Sequence, residues 1–255
     1  PTAKVITESE EMVVGYYYKP KELIGKVPLI LVFPILDGDH LVCEWQSKIL
    51  ANYGFAVIRF EKKKGFLKKD VVPEFHREIL IQTIIDVRRA LDWVCTWPEI
   101  DTTKIGVTGV SFGGITASLL MAADNRINAG AFFLFGGNLP KIVATTNEKN
   151  VVEYRERLTK NIPLSELENY LKPIYKDVDP LTYVNRFDPN KLLIISASRD
   201  KVILPSITLE MWLKLGKPPW IKLPFVGHFS AAVYFFYGNK RMVHFFQKQF
   251  NFNDS

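Results

Sequence analysis

The chain has 255 residues, 47% of them hydrophobic, enough to bury one sizeable core and within the usual span of a single α/β domain. Its 33 Lys and Arg against 27 Asp and Glu give a formal charge of +6, spread along the chain apart from one lysine run, and no zinc-finger, helix-turn-helix or RNA-binding sheet signature is present, which argues against a nucleic-acid partner. Two cysteines, Cys43 and Cys95, exclude a disulfide framework or a cysteine metal cluster, and no apolar run approaches the roughly 18 residues of a membrane span.

The opening residues, PTAKVITESEE, are polar and hold no apolar signal-peptide segment; the chain begins at Pro1 without Met, so a removed leader is compatible with it. MVVGYYY (12–18) then reads as an early antiparallel strand closed by Lys19-Pro20. PLILVFPIL (28–36) is almost wholly apolar, as a central strand buried on both faces must be. GFAVIRF (54–60), KIGVTGV (104–110), GAFFLF (130–135) and KLLIISAS (191–198) repeat that pattern, and PWIKLPFV (219–226) supplies a last strand. Helical spacing fills the intervals at about 40–52, 75–96, 112–123, 205–215 and 230–249. In ILIQTIIDVRRALDW (79–93) the apolar residues recur three and four apart, the mark of a surface helix with one buried face. Strands alternating with helices predict a mostly parallel central sheet flanked by helices.

Residues 138–188 interrupt the rhythm. EKNVVEYRERLTKN and LSELENYLKPIYKDV are both helical in pattern, and the segment reads as a helical cap or lid inserted between two strands of one domain, residues 1–255. With no internal repeat and no low-complexity tract, nothing divides the chain further.

The chemistry concentrates at Gly109-Val110-Ser111-Phe112-Gly113, a G-x-S-x-G followed by Gly114, between an apolar strand and the helical run ITASLLMAA. A chain that turns sharply from strand to helix strains the turning residue, and side chains two positions to either side would collide unless absent. The turn holds the hydroxyl above the carboxyl end of the sheet, beside a helix N-terminus whose N–H groups favour negative charge. The plainer reading is a glycine-rich packing turn, and strand–motif–helix context favours the chemical one.

A serine nucleophile needs a base, and the base an orienting carboxylate. Of the four histidines, His228 in LPFVGHFSAA lies directly after the last strand, whereas His40, His76 and His244 read as surface or helix-packing residues. Asp200 in SASRDKVILP follows the penultimate strand; its plainer use is to cap the next helix. The order Ser111, Asp200, His228 is the nucleophile–acid–base order of one hydrolase fold.

On these residues the chain resembles the α/β-hydrolase superfamily, in particular its dienelactone-hydrolase-like and prolyl-oligopeptidase-like esterase branch, from about Gly15 to Phe250. DPLTYVNRF (179–187) looks like the segment that returns to the sheet in that branch. Dienelactone hydrolases proper use cysteine as nucleophile; Ser111 here favours ordinary ester chemistry. The resemblance implies an oxyanion hole from the backbone N–H of Phe112 and one from the loop after LILVF, usually His-Gly-x. That loop here is Pro34-Ile35-Leu36-Asp37-Gly38, and since proline cannot donate, Leu36 is the expected donor, with Ile35 second. Asp37 is expected to turn outward and cap the helix starting near His40.

The resemblance therefore implies a serine hydrolase of carboxylic esters, working on a small-molecule substrate through Ser111, His228 and Asp200, with neither metal nor organic cofactor. A peptidase or thioesterase of the same fold, or a non-catalytic hydrolase-like binding protein, are the alternatives. Lys62, Lys63, Lys64, Lys68 and Lys69 would sit near the pocket rim and read as a solvated loop. Phe132, Phe133 and Phe135 read as core, the five tryptophans as helix or strand packing, and the cap tyrosines, Tyr154, Tyr170, Tyr175 and Tyr183, as the seat of selectivity. Cys43 and Cys95, expected on opposite faces of the sheet and so both free, favour the cytoplasm.

Overall fold

The computed structural model describes residues 2–6, 12–21, 25–36, 40–61 and 71–252. Asp37 and the lysine run from Lys62 lie outside the described residues.

An 8-stranded sheet forms the centre, in the order β1-β2-β4-β3-β5-β6-β7-β8. The strands are β1 (Thr2–Ile6), β2 (Met12–Tyr18), β3 (Val27–Phe33), β4 (Ala56–Phe60), β5 (Ile100–Val110), β6 (Ile127–Phe133), β7 (Leu192–Ala197) and β8 (Trp220–Leu223). β1 and β2 pair antiparallel at one edge and every pairing from β3 to β8 is parallel. Every residue of β3, β4 and β7 is buried, which explains their unbroken apolar runs.

The pleat divides the core into two layers. Leu29, Leu31 and Phe33 of β3 face one layer, and Ile30 and Val32 the other. Over the second layer lie α1 (His40–Asn52), through Cys43 and Leu50, and α8 (Phe235–Phe250), through Met242 and Phe246. Over the first lie α2 (Pro73–Val94), α3 (Phe112–Ala123) and α7 (Pro205–Lys214). α2 starts on a proline at its first turn and buries Leu80, Ile84, Val87, Leu91 and Val94, the stripe its spacing predicts. Cys43 and Cys95 belong to opposite layers and form no disulfide with each other. Among the described residues no helix is long and apolar enough to cross a membrane.

Between β6 and β7 the chain forms α4 (Leu139–Thr145), α5 (Lys149–Leu158), α6 (Leu164–Tyr175) and three short 3-10 turns. α6 packs on both α4 and α2. The two ends of this insertion are tied by one buried carboxylate. Asp179 Oδ1 accepts the N–H of Asn138 at 2.8 Å and of Leu181 at 2.9 Å, and Oδ2 accepts that of Leu139 at 2.7 Å. Burial pushes the Asp179 pKa up, partly offset by these donors.

Several boundaries differ from the sequence reading, each for a local reason. β3 stops at Phe33 because Pro34 has no N–H for the ladder. β6 stops at Phe133 because Leu134 takes φ 48°, and β8 is followed by Phe225 at φ 62°. β1 arises from a stretch read as merely polar. Trp45 and Trp93, expected as packing, are 51% and 43% exposed. Trp45 rests edge-on against Phe235 and Trp93 against Trp97.

Replacing Asp179 by Ala should strand three backbone donors and lower unfolding free energy by about 3 kcal/mol, read from urea melts. An unchanged midpoint would show that the carboxylate does not tie the insertion.

Candidate active site

The chain leaves β3 first towards β4 and then returns to place β5 on the other side of β3, so the loops beyond these two carboxyl ends diverge and leave a crevice. Ser111 follows β5 there, and Leu36 lies three residues past the end of β3.

Ser111 has φ 57° and ψ −121°, outside the helical and strand regions for a residue with a side chain. Backbone bonds hold it: its N–H donates to Phe133 O at 2.8 Å, and its carbonyl accepts Gly114 N–H at 2.9 Å and Ile115 N–H at 3.2 Å. The flanking glycines permit the approach. A Cβ on Gly109 would sit 2.3 Å from the Gly113 carbonyl carbon, and one on Gly113 would sit 2.5 Å from Phe33 O. The predicted collision is therefore present on both sides, between motif and motif and between motif and β3.

His228 and Asp200 arrive from the ends of β8 and β7. His228 Nε2 lies 2.8 Å from Ser111 Oγ, and its Nδ1 lies 2.7 Å from Asp200 Oδ2. Asp200 also does what its plainer reading required: Oδ1 accepts the N–H groups of Val202 at 2.8 Å and Ile203 at 3.0 Å. One oxygen fixes the turn and leaves the other facing the imidazole. The two loops are cross-tied, Arg199 N–H donating to Val226 O at 2.8 Å and Phe225 N–H to Ser198 Oγ at 2.9 Å. The carboxylate is 4% exposed, so little water competes for its bond to His228.

Two cavities meet at Ser111. The larger, about 400 Å³, runs beneath α4 and α5, and the smaller, about 180 Å³, runs between the β3 end and α8. Leu36, Ser111 and Glu148 line both. Glu148 caps α5, its carboxylate accepting Val151 N–H at 2.8 Å and the Asn150 amide at 3.1 Å. Phe112, the first residue of α3, lines the larger cavity, and His228 the smaller. Phe133, read as core, is buried yet also walls the smaller cavity.

The remaining candidates divide. Tyr154 and Tyr175 line the larger cavity, whereas Tyr170 is exposed and Tyr183 donates its hydroxyl to Asp177 O at 2.9 Å. His244 is exposed on α8. His76, read as a surface or helix-packing residue, is buried, packs edge-on against Tyr154 of α5 and also lines the larger cavity. No signal in the sequence around it distinguishes it, since its neighbours come from α5 and α6.

The family description of dienelactone hydrolases matches residues 13–175, a stretch that includes Ser111. The chain belongs to the dienelactone hydrolase family. Asp200 and His228 of this family member lie beyond the matched stretch. Its fold is similar to that of Est1E from Butyrivibrio proteoclasticus, with a TM-score of 0.73 at 15% identity over 98% of this chain and 99% of that one. It is also similar to Pyrococcus horikoshii acylaminoacyl peptidase, with a TM-score of 0.71 at 16% identity over 100% of this chain and 42% of that one. In sequence it is 26% identical over 115 residues to inactive dipeptidyl peptidase 10 of Rattus norvegicus, a match spanning 42% of this chain and only 14% of that relative's length. These likenesses establish an α/β-hydrolase fold.

Substituting Gly109 by Ala should overpack the turn and cost about 3 kcal/mol of stability. A thermal melt that leaves this variant level with the parent would show that the close approach is not what shapes the turn.

Proposed function

We propose that this family member is a serine hydrolase that cleaves carboxylic esters through an acyl-enzyme. The observation that carries the reading is the unbroken hydrogen-bonded line from Ser111 Oγ through the His228 ring to Asp200 Oδ2, at 2.8 and 2.7 Å. In this reading His228 Nε2 takes the hydroxyl proton as Ser111 Oγ attacks the acyl carbon. Asp200 keeps the Nδ1–H tautomer facing it and stabilises the imidazolium. The N–H groups of Phe112 and Leu36 hold the tetrahedral oxyanion, each worth roughly 3–4 kcal/mol if aligned. His228 then protonates the departing alkoxide, and afterwards activates the water that releases the acid. The helices of residues 138–188 act as a cap that walls the larger cavity. Because Cys43 and Cys95 belong to opposite layers with no disulfide between them, the reading favours the cytoplasm.

Peptide cleavage is the second reading, supported by the shared fold of the acylaminoacyl peptidase. Parallel turnover of matched ester, thioester and aminoacyl-amide substrates separates the two, with the ester expected to lead. The likeness to an inactive peptidase relative makes a non-catalytic role the third.

Ser111→Ala should abolish p-nitrophenyl acetate hydrolysis while the circular dichroism spectrum stays unchanged. Asp200→Asn should lower kcat by about 10⁴-fold, because the amide presents the wrong partner to the imidazole. Activity near the parent level in either variant would refute the assigned roles.

A further inference from the structure

The larger cavity carries a polar cluster that the ester chemistry leaves unused. Its wall joins apolar Leu80, Ile115, Ile142 and Val143 to charged residues of α5 such as Glu153 and Arg157, and His76 from α2, Tyr154 from α5 and Tyr175 from α6 converge on it. Tyr175 Oη lies 3.4 Å from His76 Nδ1 and 3.2 Å from Tyr154 Oη, and the His76 and Tyr154 rings meet edge-on at 4.7 Å. All three side chains are buried.

Hydrogen-bond arithmetic leaves this cluster open at one end. A phenol has one donor and two acceptor sites. If Tyr154 donates to Tyr175, and Tyr175 to His76, then Tyr154 keeps its lone pairs for a further partner. If the direction is reversed, with His76 Nδ1–H donating to Tyr175 and Tyr175 to Tyr154, then Tyr154 keeps its proton. Burial raises the Tyr154 pKa to about 12, so the phenol stays protonated across the working range. In either direction Tyr154 can meet a ligand hydroxyl, and in the second it can also donate to a ligand carbonyl oxygen.

The position of His228 decides which half of an ester enters this cavity. The leaving alkoxide must take its proton from His228 Nε2, and His228 lines the smaller cavity and not the larger. The alcohol therefore belongs to the smaller cavity, walled by Phe133, Phe229, Ala231 and Phe235, and the acyl group to the larger.

We propose that His76, Tyr154 and Tyr175 form a recognition site for an oxygen on the distal part of the acyl group, so that the preferred substrates are esters of hydroxylated or oxo-substituted acids rather than of plain alkanoic acids. The inference rests on the ester-hydrolase reading and names its acyl class. In this proposal Tyr154 and Tyr175 determine specificity.

The test compares kcat/KM for p-nitrophenyl esters of straight-chain acids with their ω-hydroxy counterparts over a graded series of lengths. At one length the hydroxylated ester should exceed its unsubstituted partner by roughly tenfold, the scale of one well-placed hydrogen bond. Tyr154→Phe keeps the ring against His76 and removes the oxygen, and it should bring that ratio close to one. The wild-type ratio needs no variant, so it decides even if the substitution disturbs the fold. A wild-type ratio at or below one at every length would overturn the proposal. So would a gain that survives both Tyr154→Phe and Tyr175→Phe, or a gain found only when the hydroxyl is moved to the alcohol half. Steady turnover of the unsubstituted esters in any of these cases leaves the ester-hydrolase reading standing. Turnover of neither series, with Ser111 chemically intact, overturns that reading and this proposal together.

Discussion

Ser111 is held in a backbone conformation that a residue with a side chain avoids, at φ 57° and ψ −121°, and every other feature of the site depends on that constraint. Such a conformation costs about 1–3 kcal/mol and persists only where its surroundings over-determine it. Here the sheet supplies the bond from Ser111 N–H to Phe133 O, the helix supplies two bonds to the Ser111 carbonyl, and two glycines let β5, α3 and the end of β3 approach within reach. The strain does geometric work. It lifts one hydroxyl clear of the sheet edge, beside the N-terminus of α3, where an imidazole can reach it.

The partners of that hydroxyl are held by the same economy of backbone bonding. Asp200 spends one oxygen on its own turn and one on His228, so orienting the base and shaping the loop are a single event. The β7 and β8 loops are stitched together at Arg199, Val226, Ser198 and Phe225, so neither loop can shift without the other. Above them the insertion is anchored through Asp179, and also to the Asp200 loop, where Asn147 N–H donates to Lys201 O at 3.0 Å.

What could be read from the sequence was whatever local pattern alone determines. β3, β4 and β7 are apolar throughout because they are buried on both faces, and α2 shows its stripe because one face is. Ser111 was legible because its glycines are a steric requirement, and Asp200 and His228 because each follows a strand of the sheet in the right order. What stayed illegible depends on partners distant in the chain. β1 is an edge strand fixed by its antiparallel register with β2. The ends of β6 and β8 are set by Leu134 and Phe225 at positive φ, residues with no evident preference for it. His76 looked like a helix-face histidine, and only the arrival of α5 and α6 makes it part of a buried polar cluster. Trp45 and Trp93 looked like packing residues, and their half-exposed rings show that helical position alone does not fix burial.

The central claim is that the Ser111 hydroxyl is made nucleophilic by His228. The most direct measurement is to treat the folded protein with a fluorophosphonate and locate the adduct by peptide mass spectrometry. One phosphonyl group is expected on Ser111, forming rapidly in the parent protein and failing to form when His228 is replaced by Ala. An unlabelled Ser111 in the folded parent, or labelling that proceeds equally well without His228, would contradict it.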